Sequence, residues 1–317
     1  MSRARASWRP IRRGAAYCEG MAIIVTGASG LLGTALTAAL RADGREVVRL
    51  VRRTPAKDDE AYWQPDEQVV DLAALEGAEA VVHLAGAPIG DRRWSPAYKR
   101  ELVTSRVHAT RVLVDALVQL SRPPEVLLSA SGVDFYGDTG DEVIDESRGR
   151  GSGFLADLCE RWENEAGRAG TAGIRTVQSR TGLALSRDGG ALGRILPIFR
   201  MGLGAPLGSG KQYWSWITVD DWVRAALHVL KDREIEGPVN FTSPEPVTNA
   251  EFTRTLGKTL RRGTMPIPVP AFALAAGIGE FAREGLLPSH RVVPAKLTAA
   301  GHAFSHTSLG EALRAVI

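Results

Sequence analysis

The chain has 317 residues, 44% of them hydrophobic and 24% charged, with two cysteines. That composition excludes a disordered, collagen-like or disulfide-stapled protein, and the length suits one large domain or two ordinary ones. Net charge is +3, but residues 1–20 carry Arg3, Arg5, Arg9, Arg12 and Arg13 against Glu19, which is +4, so the remainder sums to −1. No basic face points to nucleic acid.

The basic leader, residues 1–20, is poor in acids and lacks the apolar centre of a secretory signal. Met21, directly before the first apolar run, is the expected first residue, with the leader disordered or untranslated. The most apolar charge-free stretch, Thr264–Gly279, is too short to span a bilayer and holds three prolines. A cytoplasmic protein with no membrane partner is expected, and a homo-oligomer is left open.

From Met21 onward, short apolar runs alternate with helical patterns. Strands are expected at Ala22–Thr26, Glu46–Val51, Val69–Val70, Ala80–Leu84, Val126–Ser131 and Arg175–Arg180. Helices are expected over Leu31–Arg41, from the Ser95-Pro96 cap to about Leu120, and over Phe154–Arg168. This alternation means a parallel sheet covered by helices on both faces. After Arg180 glycines crowd residues 182–210, Thr218 caps a helix reaching about Leu230, and Thr248 with Glu251 opens another. The reading is an α/β, doubly wound parallel sheet over 21–180 with a smaller, intertwined C-terminal substrate portion over 181–317.

The sharpest motif is Thr26-Gly27-Ala28-Ser29-Gly30-Leu31-Leu32-Gly33, placed between a strand and a helix. Gly27 permits a tight turn, Gly30 a close approach to a pyrophosphate, and Gly33 close helix packing. The N–H groups opening the helix, at Ser29 to Leu32, face the phosphates. A free adenosine 2′-hydroxyl calls for an acid at the end of the second strand. Val47–Val51 is followed instead by Arg52 and Arg53, which suit a 2′-phosphate. NADP(H) is therefore the expected cofactor. Asp71 and Leu72 are expected beside the adenine, and Leu84, Ala85 and Gly86 under the adenosine half.

The glycine turn, His83-Leu84-Ala85-Gly86, and Ser129-Ala130-Ser131 with Phe135-Tyr136-Gly137 together resemble the extended short-chain dehydrogenases of the epimerase/dehydratase class. Phe154-Leu155-Ala156, Trp162-Glu163, Gly189-Gly190-Ala191, Phe199–Gly204, Leu207–Gly210, Trp216-Ile217 with Asp221, and Thr248–Phe252 are similar to an atypical, epimerase-like subfamily with its own C-terminal region. The resemblance runs from Met21 to the C-terminus. It implies a Rossmann fold that binds NADP(H), and by position it brings Glu101 and Arg106 to the cofactor. The segment Thr181–Ala184 would lie near the nicotinamide, so Ala184 is also a candidate.

Members of that class carry Tyr-x-x-x-Lys on the helix after the fifth strand. Alignment on Glu163 puts Leu155 at the Tyr position and Cys159 at the Lys position. Leu has no proton and Cys no fixed charge, so the usual relay is missing. Ser131 keeps a hydroxyl near the place of the family's active-site Ser or Thr, although Tyr136 follows it by five residues instead of the usual four. Ser131 and Tyr136 are the candidate catalytic residues. His83 reads as a core histidine, Cys159 as an inert small hydrophobe, and Tyr213, Trp214 and Trp216 as a domain interface or as an aromatic wall for a planar or apolar substrate. Two functions follow: an NADP(H)-binding, epimerase-like oxidoreductase acting on a small molecule, or a non-catalytic NADP(H) sensor.

Overall fold

The computed structural model describes residues 22–317; the leader and Met21 lie outside the described residues. The strands are β1 (Ile23–Thr26), β2 (Val47–Val51), β3 (Glu60–Gln64), β4 (Val69–Val70), β5 (Ala80–His83), β6 (Val126–Gly132), β7 (Arg175–Thr181), β8 (Leu183–Leu185), β9 (Tyr213–Trp214), β10 (Trp216–Thr218), β11 (Gly237–Phe241) and β12 (Val247–Thr248). Eight form one sheet in the order β11-β7-β6-β5-β1-β2-β3-β4. All neighbours in it are parallel except β3 and β4. β1 and β5 are buried along their whole length, as helices on both faces require of continuous apolar runs.

The strand order reverses at β1, which lies between β2 and β5. At such a switch point the loops leave in opposite directions and open a crevice at the carboxyl ends. The helices are α1 (Leu31–Ala42), α2 (Leu72–Leu75), α3 (Pro96–Val103), α4 (Ala109–Leu117), α5 (Phe154–Gly167), α6 (Gly190–Arg200), α7 (Val219–Lys231), α8 (Asn249–Thr259), α9 (Ala271–Ile278), α10 (Ala295–Ala299) and α11 (Leu309–Val316). α3 opens as its sequence predicts, with Ser95 accepting from the Tyr98 N–H at 3.1 Å. A π turn, Thr104–His108, joins α3 to α4, so the single long helix expected there is interrupted. Thr218 and Thr248 cap α7 and α8 in the same way.

Two strands of this sheet were not expected, nor were the short β8, β9, β10 and β12 outside it. β3 follows a charged loop that hides its EAYWQ alternation, and it inserts beside β2, with Arg49 opposite Glu60. β11 comes from beyond residue 181 and completes the far edge of the sheet beside β7. The C-terminal portion is thus woven into the sheet. Val69–Val70 forms only a short antiparallel edge.

One face of the sheet packs Ile24, Val48, Leu50 and Val81 against Leu113 and Leu117 of α4. The other packs Ile23, Val25, Val82 and Leu128 against Leu36 of α1 and Trp222 of α7. A third core gathers Leu185, Leu192, Phe199, Trp216, Phe252, Leu256 and Leu313 in the C-terminal part. Trp214 stacks edge-on against Phe252 at 5.3 Å. Both tryptophans therefore pack the C-terminal core. No helix of the described residues is long and apolar enough to cross a membrane.

Trp222 ties the two portions together. It is fully buried, lies 5.6 Å from the Phe241 ring, and donates to Thr181 Oγ1 at 3.0 Å. Trp222→Ala is expected to cost about 3–5 kcal/mol in urea unfolding, because it empties a packed site and removes the hydrogen bond to Thr181. A cost under about 1 kcal/mol would show that this junction carries little of the fold's stability.

Candidate functional site

The glycine turn is built from steric limits. Gly27 has φ +66°, and a Cβ there would lie 2.7 Å from the Leu84 carbonyl carbon and oxygen. A Cβ on Gly33 would lie 2.2 Å from the Gly27 oxygen. Gly33 therefore packs α1 onto its own turn and not onto the strand. Gly30 donates to the Gly27 carbonyl at 2.9 Å and begins α1, which no side chain caps and whose first turn holds no acid. The first N–H groups and the positive end of the helix dipole face outward from this turn.

Around the turn lies a cleft of about 900 Å³. Gly27, Ala28, Ser29 and Gly30 form its floor; Leu84, Ala85 and Gly86 form one side; Arg52 and Arg53 stand at one end. Trp63 and Gln64 of the unforeseen β3, and Pro65 and Asp66 of the turn that follows it, also line this cleft. Asp71 and Leu72 do not line it. Asp71 caps α2 by accepting from Ala73 N–H at 3.2 Å, and Leu72 packs on the sheet core. A second cleft of about 790 Å³ shares Ser29 and Gly30 and continues past Leu31 and Thr34 to Leu185–Gly190 and Asp220. Ala184 lies at its border, where a Cβ on Gly190 would meet the Ala184 oxygen at 3.5 Å. Leu32 packs partly buried against the sheet core.

Arg53 is not a loose surface cation. Its guanidinium holds Glu60 at 2.6 and 2.8 Å, Arg49 holds the same carboxylate at 2.9 Å, and the Ala56 N–H donates to it at 2.9 Å. Glu60 is buried, and the Arg53 guanidinium, then the Ala56 N–H, bring its carboxyl down to about 2. Glu60 thus fastens the loop that carries both arginines. Sequence reasoning missed it; the register partner of Arg49 could not be read before β3 was known.

Gly86 marks the other end of the first cleft. A Cβ there would lie 3.1 Å from Cζ of Arg106, whose guanidinium stands 5.2 Å from the Trp162 ring. Arg106 sits on the π turn, is 7% exposed, and makes no carboxylate ion pair within 4.0 Å among the described residues. Burial pulls its pKa down. A buried cation without a counterion is costly, and it suits an anion arriving in the cleft. Glu101 lines the cleft and faces Arg92 at 3.6 Å.

The two candidate hydroxyls go elsewhere. Ser131 donates to Glu163 at 2.6 Å; Arg180 holds Glu163 at 2.9 and 2.7 Å and donates to the Tyr136 oxygen at 2.9 Å; Tyr136 donates to Asn240 at 2.7 Å. This closed network fastens α5 and β11 to the sheet, and neither hydroxyl lines either cleft. Burial raises the Tyr136 pKa, with Arg180 opposing it, so the phenol is not tuned toward neutrality. His83 bridges Thr26 at 2.7 Å and Thr110 at 2.9 Å, and burial holds it down at about 3, as a core histidine. Leu155 and Cys159 are buried on α5, and burial pushes the thiol up to about 12.

A doubly wound sheet whose glycine turn opens a cleft at the switch point defines a dinucleotide-binding protein of the Rossmann type. Residues 23–241 match the NAD dependent epimerase/dehydratase family, and the chain belongs to it. Residues 269–316 match a domain of unknown function, DUF1731, which is the separate C-terminal region expected from the sequence. The chain is 47% identical over 291 residues to Epimerase family protein MT2273 of Mycobacterium tuberculosis, covering 92% of this chain and 96% of that protein. The crystal structure of human epimerase family protein SDR39U1 (isoform 2) with NADPH is similar at a TM-score of 0.86 and 34% identity, over 93% of this chain and 99% of that one. A nucleoside-diphosphate sugar epimerase from Corynebacterium glutamicum is similar at a TM-score of 0.77 and 33% identity, over 94% of this chain and 58% of that one.

Two outcomes check these assignments. Tyr136→Phe is expected to lose about 1–3 kcal/mol in urea unfolding, because Asn240 and Arg180 lose a buried partner, while calorimetric NADPH affinity stays unchanged. Lost affinity with unaltered stability would return Tyr136 to the cleft. Glu60 has its folded pKa depressed from 4.5 to about 2, so its contribution is complete above pH 4.5 and lost as pH falls toward 2. The stability lead of wild type over Glu60→Gln should therefore shrink between pH 7 and pH 3; a lead independent of pH would refute the ion-pair account.

Proposed function

We propose that this chain binds NADP(H) in the first cleft and acts as an epimerase-like oxidoreductase on a small molecule. The observation that carries this reading is one continuous cleft, open from the arginine pair past the glycine turn to Gly86. The residues present fit the cofactor. Gly27 and Gly33 hold the turn against β5 and α1 more closely than any side chain would allow, Gly86 does the same for Arg106, and Arg106 makes no carboxylate ion pair within 4.0 Å among the described residues. The human relative crystallised with NADPH supports the same choice.

In this reading Arg52 and Arg53 grip the adenosine 2′-phosphate through guanidinium hydrogen bonds, with Arg53 pre-positioned by Glu60. Trp63 to Asp66 wall the adenine. The uncapped start of α1 presents N–H groups to the diphosphate. Arg106 and Glu101 work from the π-interrupted rod: the cation offsets phosphate charge and the acid accepts from a ribose hydroxyl. The chemistry a bound NADP(H) supplies is hydride transfer at nicotinamide C4. The C-terminal portion, 181–317, shapes the substrate side, and the second cleft continues toward it.

A non-catalytic NADP(H) sensor is the second reading. It is favoured by Leu155 and Cys159, which hold the usual relay positions and carry no transferable proton near neutral pH. The readings part on whether bound NADPH is oxidised when a panel of carbonyl compounds is added.

Calorimetry tests the shared premise. NADPH should bind more tightly than NADH, and replacing Arg52 and Arg53 together with Ala should weaken NADPH by roughly 10- to 100-fold while changing NADH little. No binding of either dinucleotide would overturn the proposal. Equal wild-type affinities would overturn only the role of the two arginines.

A further inference from the structure

The charge-free stretch from Thr264 to Gly279 lines neither cleft. Its first half, stiffened by Pro266, Pro268 and Pro270, runs beside the chain that leaves α6. The Met265 N–H donates to the Gly204 carbonyl and the Val269 N–H to the Pro206 carbonyl, both at 2.8 Å, and the Gly208 N–H donates back to Val269 at 2.8 Å. Arg262 joins the same two segments, its Nε donating to the Arg200 carbonyl at 3.0 Å. α9 then follows directly.

The side chains on this paired surface face water. Met201 and Leu203 stand on one segment, Met265 and Ile267 on the other, and Phe272 at the start of α9; Ile267 is 72% and Phe272 78% exposed. α9 is apolar throughout, yet only its Leu274 is buried. Single apolar side chains on a surface need no explanation, but a contiguous group of them marks an interaction face.

The charge around that group has one sign. Residues 189–218 and 252–279 hold seven Lys and Arg and no Asp or Glu. Residues 21–317 sum to −1, so the rest of that span sums to −8. Arg200 ends α6, Lys258 lies in the last turn of α8, and Arg261 and Arg262 follow it. All four are exposed, and among the described residues none has a carboxylate within 4.0 Å. Arg194, farther back on α6, is spent on Asp91.

We propose that this face is a peripheral docking site for an anionic lipid surface. The apolar side chains enter the boundary between headgroups and acyl chains, and the four cations meet lipid phosphates around them. The inference does not depend on the cofactor reading.

The observations favour lipid over other occupants. A second copy of the chain, joined two-fold through this face, would oppose one positive surface to another. A peptide that adds itself as a strand needs free backbone donors; Pro266, Pro268 and Pro270 have none, and those of Met265 and Val269 are already spent. The same shortage of donors makes the segment cheap to take out of water. A nucleic acid would meet the cations and leave the aliphatic side chains in water. The expectation of no membrane partner rests on the lack of a spanning stretch, which bears on crossing a membrane and not on lying against one.

The test is flotation of the full chain with vesicles of phosphatidylcholine alone and of equimolar phosphatidylcholine and phosphatidylglycerol, at low and high salt, with light scattering of the free protein. The chain should float with the mixed vesicles at low salt, much less with the neutral ones, and salt should release it. Met201→Ser combined with Ile267→Ser and Phe272→Ser, and separately Arg261→Ala combined with Arg262→Ala, should each weaken binding by about 10-fold or more. All five side chains are exposed, so the urea midpoints of both variants should match wild type. The proposal is overturned by no flotation with the mixed vesicles, by equal flotation with the neutral ones, or by flotation that both variants leave unchanged. A dimer in light scattering that the serine variant splits, with no vesicle binding, would assign the face to a second copy and overturn it as well.

Discussion

The structure depends on how closely two pieces of backbone approach at the switch point. The Gly27 turn leaves β1 and abuts the Leu84 carbonyl at the end of β5, and α1 packs on the same turn through Gly33. With side chains at these positions the turn would be pushed off the sheet and the floor of the cleft would move with it. The turn contacts β5 because β1 has β5 and β2 as parallel neighbours, and the loops leaving the strand ends diverge there. The cleft is thus a consequence of strand order, and the glycines let the backbone occupy it.

Two buried arginines show how the chain separates structure from binding. Arg180 is 3% exposed and fully engaged: Glu163 takes two of its N–H groups and Tyr136 a third. That arrangement offsets the desolvation of the charge within the protein itself. Arg106 is nearly as buried; it donates to the Leu102 carbonyl at 3.5 Å and lies over the Trp162 ring, and among the described residues it makes no ion pair within 4.0 Å. The first arginine completes a core; the second sits on a helical irregularity beside the cleft, an arrangement common where a backbone is shaped for a ligand.

The adenosine end follows the same division. Arg49 and Glu60 are satisfied across β2 and β3, and that ion pair is what fixes the loop carrying Arg52 and Arg53. An acid does stand near the end of β2, but its lone pairs are taken by arginines and a backbone N–H. Counting acids in β2 alone would have missed it, and its presence does not restore an acceptor for a ribose hydroxyl.

Local patterns determined a good deal. The strands β1, β2, β5, β6 and β7, the caps at Ser95, Thr218 and Thr248, and the glycine turn were legible because each depends on neighbours a few residues away. The buried character of His83 and Cys159 was legible for the same reason, since both lie on apolar elements. The tertiary structure alone decided two things: that β3 and β11 join the sheet, and that Ser131 and Tyr136 turn into a network with Glu163, Arg180 and Asn240. Those residues are tens to more than a hundred positions apart, and their meeting depends on strand order and on where desolvated charges find partners. No window of sequence contains that information, because the energy of burying a polar group depends on what the rest of the chain brings to it.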